Sequence, residues 1–128
     1  MTAEAAGDAL ARRLVPDVLW QLAAPLIPGT ARRPQGGGRR RVDDRAILAA
    51  VLFVIASGCS WRGIPDCLGV AVPTAYRRFV EWHDAGLWQR LDAEVRRQVD
   101  GPELAAWTGA IVAAAPARAA LRELPMRA

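Results

Sequence analysis

The chain has 128 residues, 52% of them hydrophobic, and 17 basic against 13 acidic side chains give a net charge of +4. That length suits one domain with tails, and the apolar content excludes global disorder. The positive balance favours a polyanionic partner. Every basic residue is Arg, Lys and Asn are absent, and Ala and Gly abound; this reads as GC-rich bacterial coding, so Arg usage alone is weak evidence for nucleic-acid contact.

Cys59 and Cys67 are the only cysteines, His83 is the only histidine, and no C-x-x-C spacing occurs. A zinc site needs about four suitably spaced ligands, so buried free thiols are expected, with no metal and no cofactor. The N-terminal MTAEAAGDALARR carries Glu4 and Asp8 and lacks the basic start and apolar core of a signal peptide. The longest apolar run, Ala46 to Ala56, is too short to span a bilayer. A cytoplasmic protein without a membrane partner is the expectation.

Residues 1–13 are Ala-rich and read as a flexible tail. A first helix is predicted from about Pro16, with Val18, Leu19, Leu22, Leu26 and Ile27 on one side and an end at Pro28-Gly29. Residues 29–42 then form a Gly/Arg loop. Six basic residues fall between Arg32 and Arg45, and three consecutive glycines argue for flexibility. The loop reads either as a basic arm that brings Arg39, Arg40 and Arg41 to phosphates or a minor groove, or as a solvated linker. A second helix starts at Asp43 or Asp44, either of which can cap it, and ends at Ser57-Gly58. It is apolar on nearly every side, as a central buried helix is.

Ser60 can cap a short helix over about 61–67, Gly69 makes a turn, and Pro73 opens a helix over about 73–84 that Gly86 breaks. A last amphipathic helix over about 87–99 carries Leu87, Leu91 and Val95 at i, i+4 spacing. The unit from Trp61 to Trp88 has the layout of a helix-turn-helix, whose second helix enters the DNA major groove. The fold class is therefore all-α: a small helical bundle over residues 14–99 containing a helix-turn-helix, then a poorly ordered Ala-rich tail over 100–128. Ile47, Val51, Leu52, Val54, Trp61, Phe79 and Trp82 are its expected core.

On the helix from Pro73, Tyr76, Phe79 and Trp82 form an apolar sector, and Thr74, Arg77, Arg78 and Glu81 fall elsewhere. Two adjacent arginines on an aromatic-anchored helix suit a recognition helix, because Arg can donate two hydrogen bonds to guanine O6 and N7 or grip a phosphate. Thr74 lies where a hydroxyl can meet backbone phosphate. The alternative is a solvated basic face on an ordinary bundle helix. The spacing of Trp20, Trp61, Trp82 and Trp88 among apolar residues favours core packing over base stacking. Arg62 and Asp66 stand at i, i+4, which suits a surface salt bridge as well as a DNA contact.

Several spaced motifs carry a family resemblance over about residues 14–99. They are Trp20, Pro25-Leu26-Ile27-Pro28, Arg45-Ala46-Ile47-Leu48, Gly58-Cys59-Ser60-Trp61-Arg62, Pro65, Tyr76-Arg77-Arg78-Phe79, Trp82 and Gly86-Leu87-Trp88. In this order they resemble the N-terminal domain of bacterial insertion-element transposases of the DDE class. The resemblance implies binding to double-stranded DNA at the element's terminal inverted repeats. It also implies a following RNase-H-like domain, which holds two metal ions on an Asp-Asp-Glu triad.

Trp107 to Val112 looks like that domain's first strand, after which the family places its first catalytic Asp. Here the position is Ala113, and a methyl group cannot ligate a metal. The expectation is a transposase-like DNA-binding part without catalytic residues or activity of its own, acting as a homo-oligomer or with a full-length transposase. A decayed gene and the first half of a split frame fit equally. A stand-alone helix-turn-helix regulator and a helical protein-interaction domain are the competing functions.

Overall fold

The hydrophobic pattern resolves into six α-helices over residues 2–28 and 43–121, which the computed structural model describes; no strand is found among them. Arg39, Arg40 and Arg41, like residues 122–128, lie outside the described residues. Helix α1 spans Ala3–Leu14, where a flexible tail was expected. Local signals support it: the Thr2 hydroxyl accepts a hydrogen bond from the Ala5 N–H at 3.0 Å, Glu4 sits in the first turn, and Arg12 and Arg13 sit in the last. Its packing depends on Gly7, where any Cβ would stand 1.9 Å from the Cys67 carbonyl oxygen. Only glycine lets the helix lie this close to the chain at residues 66–68.

Helix α2, Asp17–Ala23, follows directly and tightens into a 3-10 turn at Ala24–Leu26. Arg45 ties this junction to the next helix. Its guanidinium donates to the Val15 carbonyl and, at 2.8 Å, to the Asp17 carboxylate. Arg45 holds the Asp17 carboxyl below its ordinary range, first by that hydrogen bond and then by its charge, with a smaller contribution from Arg12.

Helix α3, Asp44–Ser57, starts on Asp43, whose carboxylate accepts from the Arg45 N–H, and ends at Gly58 in the left-handed conformation. Its residues Ile47 to Leu52, Val54 and Ile55 are buried. Helices α1, α4 (Val72–Asp84) and α6 (Pro102–Ala120) all pack against it, so it is the central helix that its composition announces. Every expected core residue is buried. Helix α5, Leu87–Gln98, completes the bundle by packing Leu87, Trp88, Leu91 and Val95 inward.

Two further expectations change. The short helix over 61–67 is two separate 3-10 turns, Trp61–Gly63 and Asp66–Leu68. Pro65 causes the break: it lacks an N–H and drives Ile64 into extended backbone, with φ −62° and ψ 130°. The tail also differs, because Trp107 to Val112 is the middle of helix α6, not a strand. Nine of the nineteen residues of α6 are Ala, the best helix former, and that preference outweighs the short β-like motif.

Helix α6 is docked rather than loose over its described length. The Trp107 indole N–H donates to the Leu14 carbonyl at 3.0 Å, the Thr108 hydroxyl donates to Asp92 at 2.7 Å, and Arg118 donates to the Gly58 and Cys59 carbonyls. No helix among the described residues is long and apolar enough to cross a membrane.

Candidate nucleic-acid interface

Helix α4 is aimed by the residues on either side of it. Gly69 takes φ 69°, a left-handed turn that a side chain rarely adopts, and redirects the chain from the 3-10 turn Asp66–Leu68 into Val70 and Ala71. Ala71 is extended and gives no side-chain cap, and Pro73 follows in the first turn. The N-terminal end of α4 therefore carries no internal hydrogen-bonding cap from its own N-cap side chain.

Aromatic contacts fix the helix's roll. Ala75, Phe79 and Trp82 are fully buried, and Tyr76, Val80 and His83 are half-buried beside them. Trp61 meets Tyr76 edge-on at 5.7 Å and Phe79 at 5.4 Å, while Phe79 stacks on His83 at 5.3 Å and on Trp88 at 6.2 Å. The Trp88 indole donates to His83 Nδ1 at 3.1 Å, which leaves the ring proton of neutral His83 on Nε2. Trp61, Trp82 and Trp88 are thus core residues, and Trp20 is half-buried at the edge of the core. The indole N–H groups of Trp61 and Trp82 are buried with no partner among the described residues.

With that side locked inward, Pro73, Arg77, Glu81 and Asp84 are exposed, flanked by half-exposed Thr74 and Arg78. The two arginines differ. Arg77 makes no ion pair or side-chain hydrogen bond among the described residues. Arg78 lies 3.5 Å from the Asp44 carboxylate and 5.9 Å from the centre of the Trp82 ring. The Thr74 hydroxyl has no partner among the described residues. The face is mixed in sign, since Glu81 follows one turn after Arg77.

Sequence reasoning missed two arginines that hold the frame. Arg45, last of the basic residues around the Gly/Arg loop, is consumed by Val15 and Asp17, and Arg118 is consumed by the carbonyls that end α3. No local pattern signals either role, because both partners are distant in sequence. The Arg62–Asp66 pair does not form, since its spacing assumes a helix that Pro65 interrupts. Among the described residues no three His, Cys, Asp or Glu side chains converge as a metal site would require. Two open grooves of about 380 Å³ each lie away from α4, one beside Leu121 and one beside Trp107.

Residues 15–91 match the family described as "Putative transposase of IS4/5 family (DUF4096)". The chain belongs to this insertion-element transposase family. The match runs from the α1–α2 junction through the aromatic cluster to the first turns of α5 and includes all of α4. The chain is 39% identical over 84 residues to "Insertion element IS402 uncharacterized 16.2 kDa protein" of Burkholderia cepacia, covering 64% of this chain and 57% of that protein. It is 29% identical over 84 residues to "Uncharacterized protein y4sN" of Sinorhizobium fredii (strain NBRC 101917 / NGR234), covering 66% of this chain and 64% of that protein. The chain thus spans 57% and 64% of the length of these two curated relatives. No solved structure matches it significantly.

Proposed function

We propose that this chain is the DNA-binding part of an insertion-element transposase and that α4 reads duplex DNA at the element's terminal inverted repeats. The observation that carries the reading is the division of α4. Its aromatic side is locked into the core, and its opposite side presents an uncommitted Arg77 beside Thr74. A helix so held fixes the face from which the Arg77 side chain leaves, as base readout requires.

Arg78 plays a second part in the proposal. It braces α4 against Asp44 and keeps donors for an adjacent phosphate. The same ion pair supports a role for the basic loop. Asp44 is three residues from Arg41, so the loop's attachment lies within about 10 Å of chain reach of the α4 face. Arg39, Arg40 and Arg41 then contact phosphates or the minor groove beside the helix.

The two-fold relation of inverted repeats favours a homo-oligomer or assembly with a full-length transposase, in a bacterial cytoplasm. Cutting and joining need converging carboxylates, and no three His, Cys, Asp or Glu side chains converge among the described residues; Ala113, which the resemblance sets directly after a strand, lies inside helix α6. Purified chain with Mg²⁺ or Mn²⁺ is expected to leave DNA intact, and Ala113→Asp alone is expected to restore nothing. Metal-dependent nicking that a substitution in this chain abolishes would overturn that point.

The test is selection of bound sequences from a random duplex pool, followed by fluorescence anisotropy across a salt series. Arg77→Ala is expected to weaken the selected site by about 1–3 kcal/mol and relax preference at one position. Arg40→Ala is expected to weaken all sequences alike and flatten the salt dependence. If replacing Arg77 and Arg78 together in a folded protein changes neither affinity nor preference, α4 is not the reading helix.

A further inference from the structure

We infer that Arg62, on the 3-10 turn ahead of α4, is a phosphate-contacting residue of the same duplex-DNA interface; the inference rests on the reading of α4 proposed above. Six of the ten described arginines are spent on carboxylates or backbone carbonyls. Arg13, Arg62, Arg77 and Arg90 are exposed and have no such partner among the described residues. A guanidinium already paired must give up its partner to bind a phosphate, whereas a free one need not.

Of these four, Arg62 and Arg77 are linked through the rings that precede them. Arg62 follows Trp61 and Arg77 follows Tyr76, and these two rings touch at 5.7 Å. Trp61 is only 1% exposed, so the turn bearing Arg62 is anchored as firmly as the helix bearing Arg77. Pro65 completes the arrangement. By breaking the helix it removes the i, i+4 geometry that would have spent Arg62 on Asp66.

The segment between the two arginines leads into the α4 N-terminus, where Ala71 offers no side-chain cap. The unpartnered Arg62 guanidinium and the positive end of α4 each favour a phosphate. Arg62 carries no hydrogen bond that the fold needs, so its removal is expected to leave the melting temperature unchanged.

The experiment measures anisotropy with two probes, a 30-base-pair duplex carrying the selected site and a scrambled duplex of the same composition, over a salt series. Arg62→Ala is expected to weaken both about fivefold at 0.15 M salt and to reduce the slope of log K against log salt by about 0.9, the effect of one phosphate contact. Arg62→Gln, which keeps much of the stem, is expected to do the same, and Arg62→Lys to retain the slope. Arg13→Ala removes an equal charge at the α1–α6 groove and is expected to leave the slope alone.

An unchanged slope in folded Arg62→Ala protein, with Arg77→Ala still weakening binding, overturns this inference alone. So does a slope change that Arg13→Ala reproduces, or a loss confined to the selected duplex. Absence of salt-dependent binding by the unsubstituted chain overturns the reading of α4 itself.

Discussion

Helices α4 and α6 both lie against α3, yet different forces place them. Helix α4 is set by large rings: Phe79 and Trp82 are fully buried, and Trp61 and Trp88 close around Phe79. Helix α6 buries little bulk, with Thr108, Ile111 and Ala115 inward. Hydrogen bonds to Leu14, Asp92, Gly58 and Cys59 fix its position. The outer sides differ to match, with charge on α4 and mostly alanine on α6. A helix held by large apolar contacts can keep its free side for other chemistry, whereas α6 spends its polar groups on being held.

The largest test of that contrast is Phe79→Ala. Phe79 touches Trp61, His83 and Trp88, so truncation leaves a cavity bounded by three rings. The expected loss is about 3–5 kcal/mol in urea denaturation. A loss below about 1 kcal/mol would mean that the rings do not set the position of α4.

The polar counterpart in α6 is Thr108→Val, with an expected loss of about 1–3 kcal/mol. Burial pushes the Asp92 carboxyl up, but hydrogen bonds from Thr108 and Arg96 and the Arg96 charge outweigh it, so the group sits below its ordinary value of 3.8. A lowered carboxyl stabilises the fold above its unfolded pKa, and that stabilisation disappears as pH falls through the folded value. Unsubstituted protein is therefore expected to lose stability as pH drops below about 4. Thr108→Val raises the Asp92 pKa towards its ordinary value, so part of this acid-side loss should vanish. Equal pH profiles for the two proteins would break the assignment of Asp92 as the anchor of α6.

The same contrast explains what the sequence made legible. Helices α3 and α4 announce themselves through periodic bulky residues and clear stop signals, so their bounds and buried positions follow from pattern. Helix α1 hides because its packing depends on Gly7, and no residue pattern reveals a helix approaching the Cys67 carbonyl. Helix α6 hides because alanine makes a weak apolar stripe and because Trp107-Thr108-Gly109-Ala110-Ile111-Val112 mimics a strand. In the candidate site, the exposure of Arg77 follows from the helical wheel. The engagement of Arg78 does not, since Asp44 lies 34 positions earlier in sequence. The freedom of Arg62 was hidden by a spacing rule that holds only inside a continuous helix.

The smallest expected effect is the most informative about α4's free side. Arg78 and Asp44 are 26% and 17% exposed, and their 3.5 Å separation is loose for an ion pair. A double-mutant cycle of Arg78→Ala and Asp44→Ala is expected to give a coupling of about 0.2–1 kcal/mol in stability, the range of weakly screened surface pairs. Arg78→Lys sharpens the measurement. Lysine keeps the charge for Asp44 but loses the flat guanidinium that lies against Trp82, so it should retain only part of the stability contribution. A coupling near zero would mean that Arg78 is as free as Arg77, and that the roll of α4 owes nothing to charge. A coupling near the upper end makes Arg78 the brace and leaves Arg77 as the side chain on this helix able to turn wholly towards DNA.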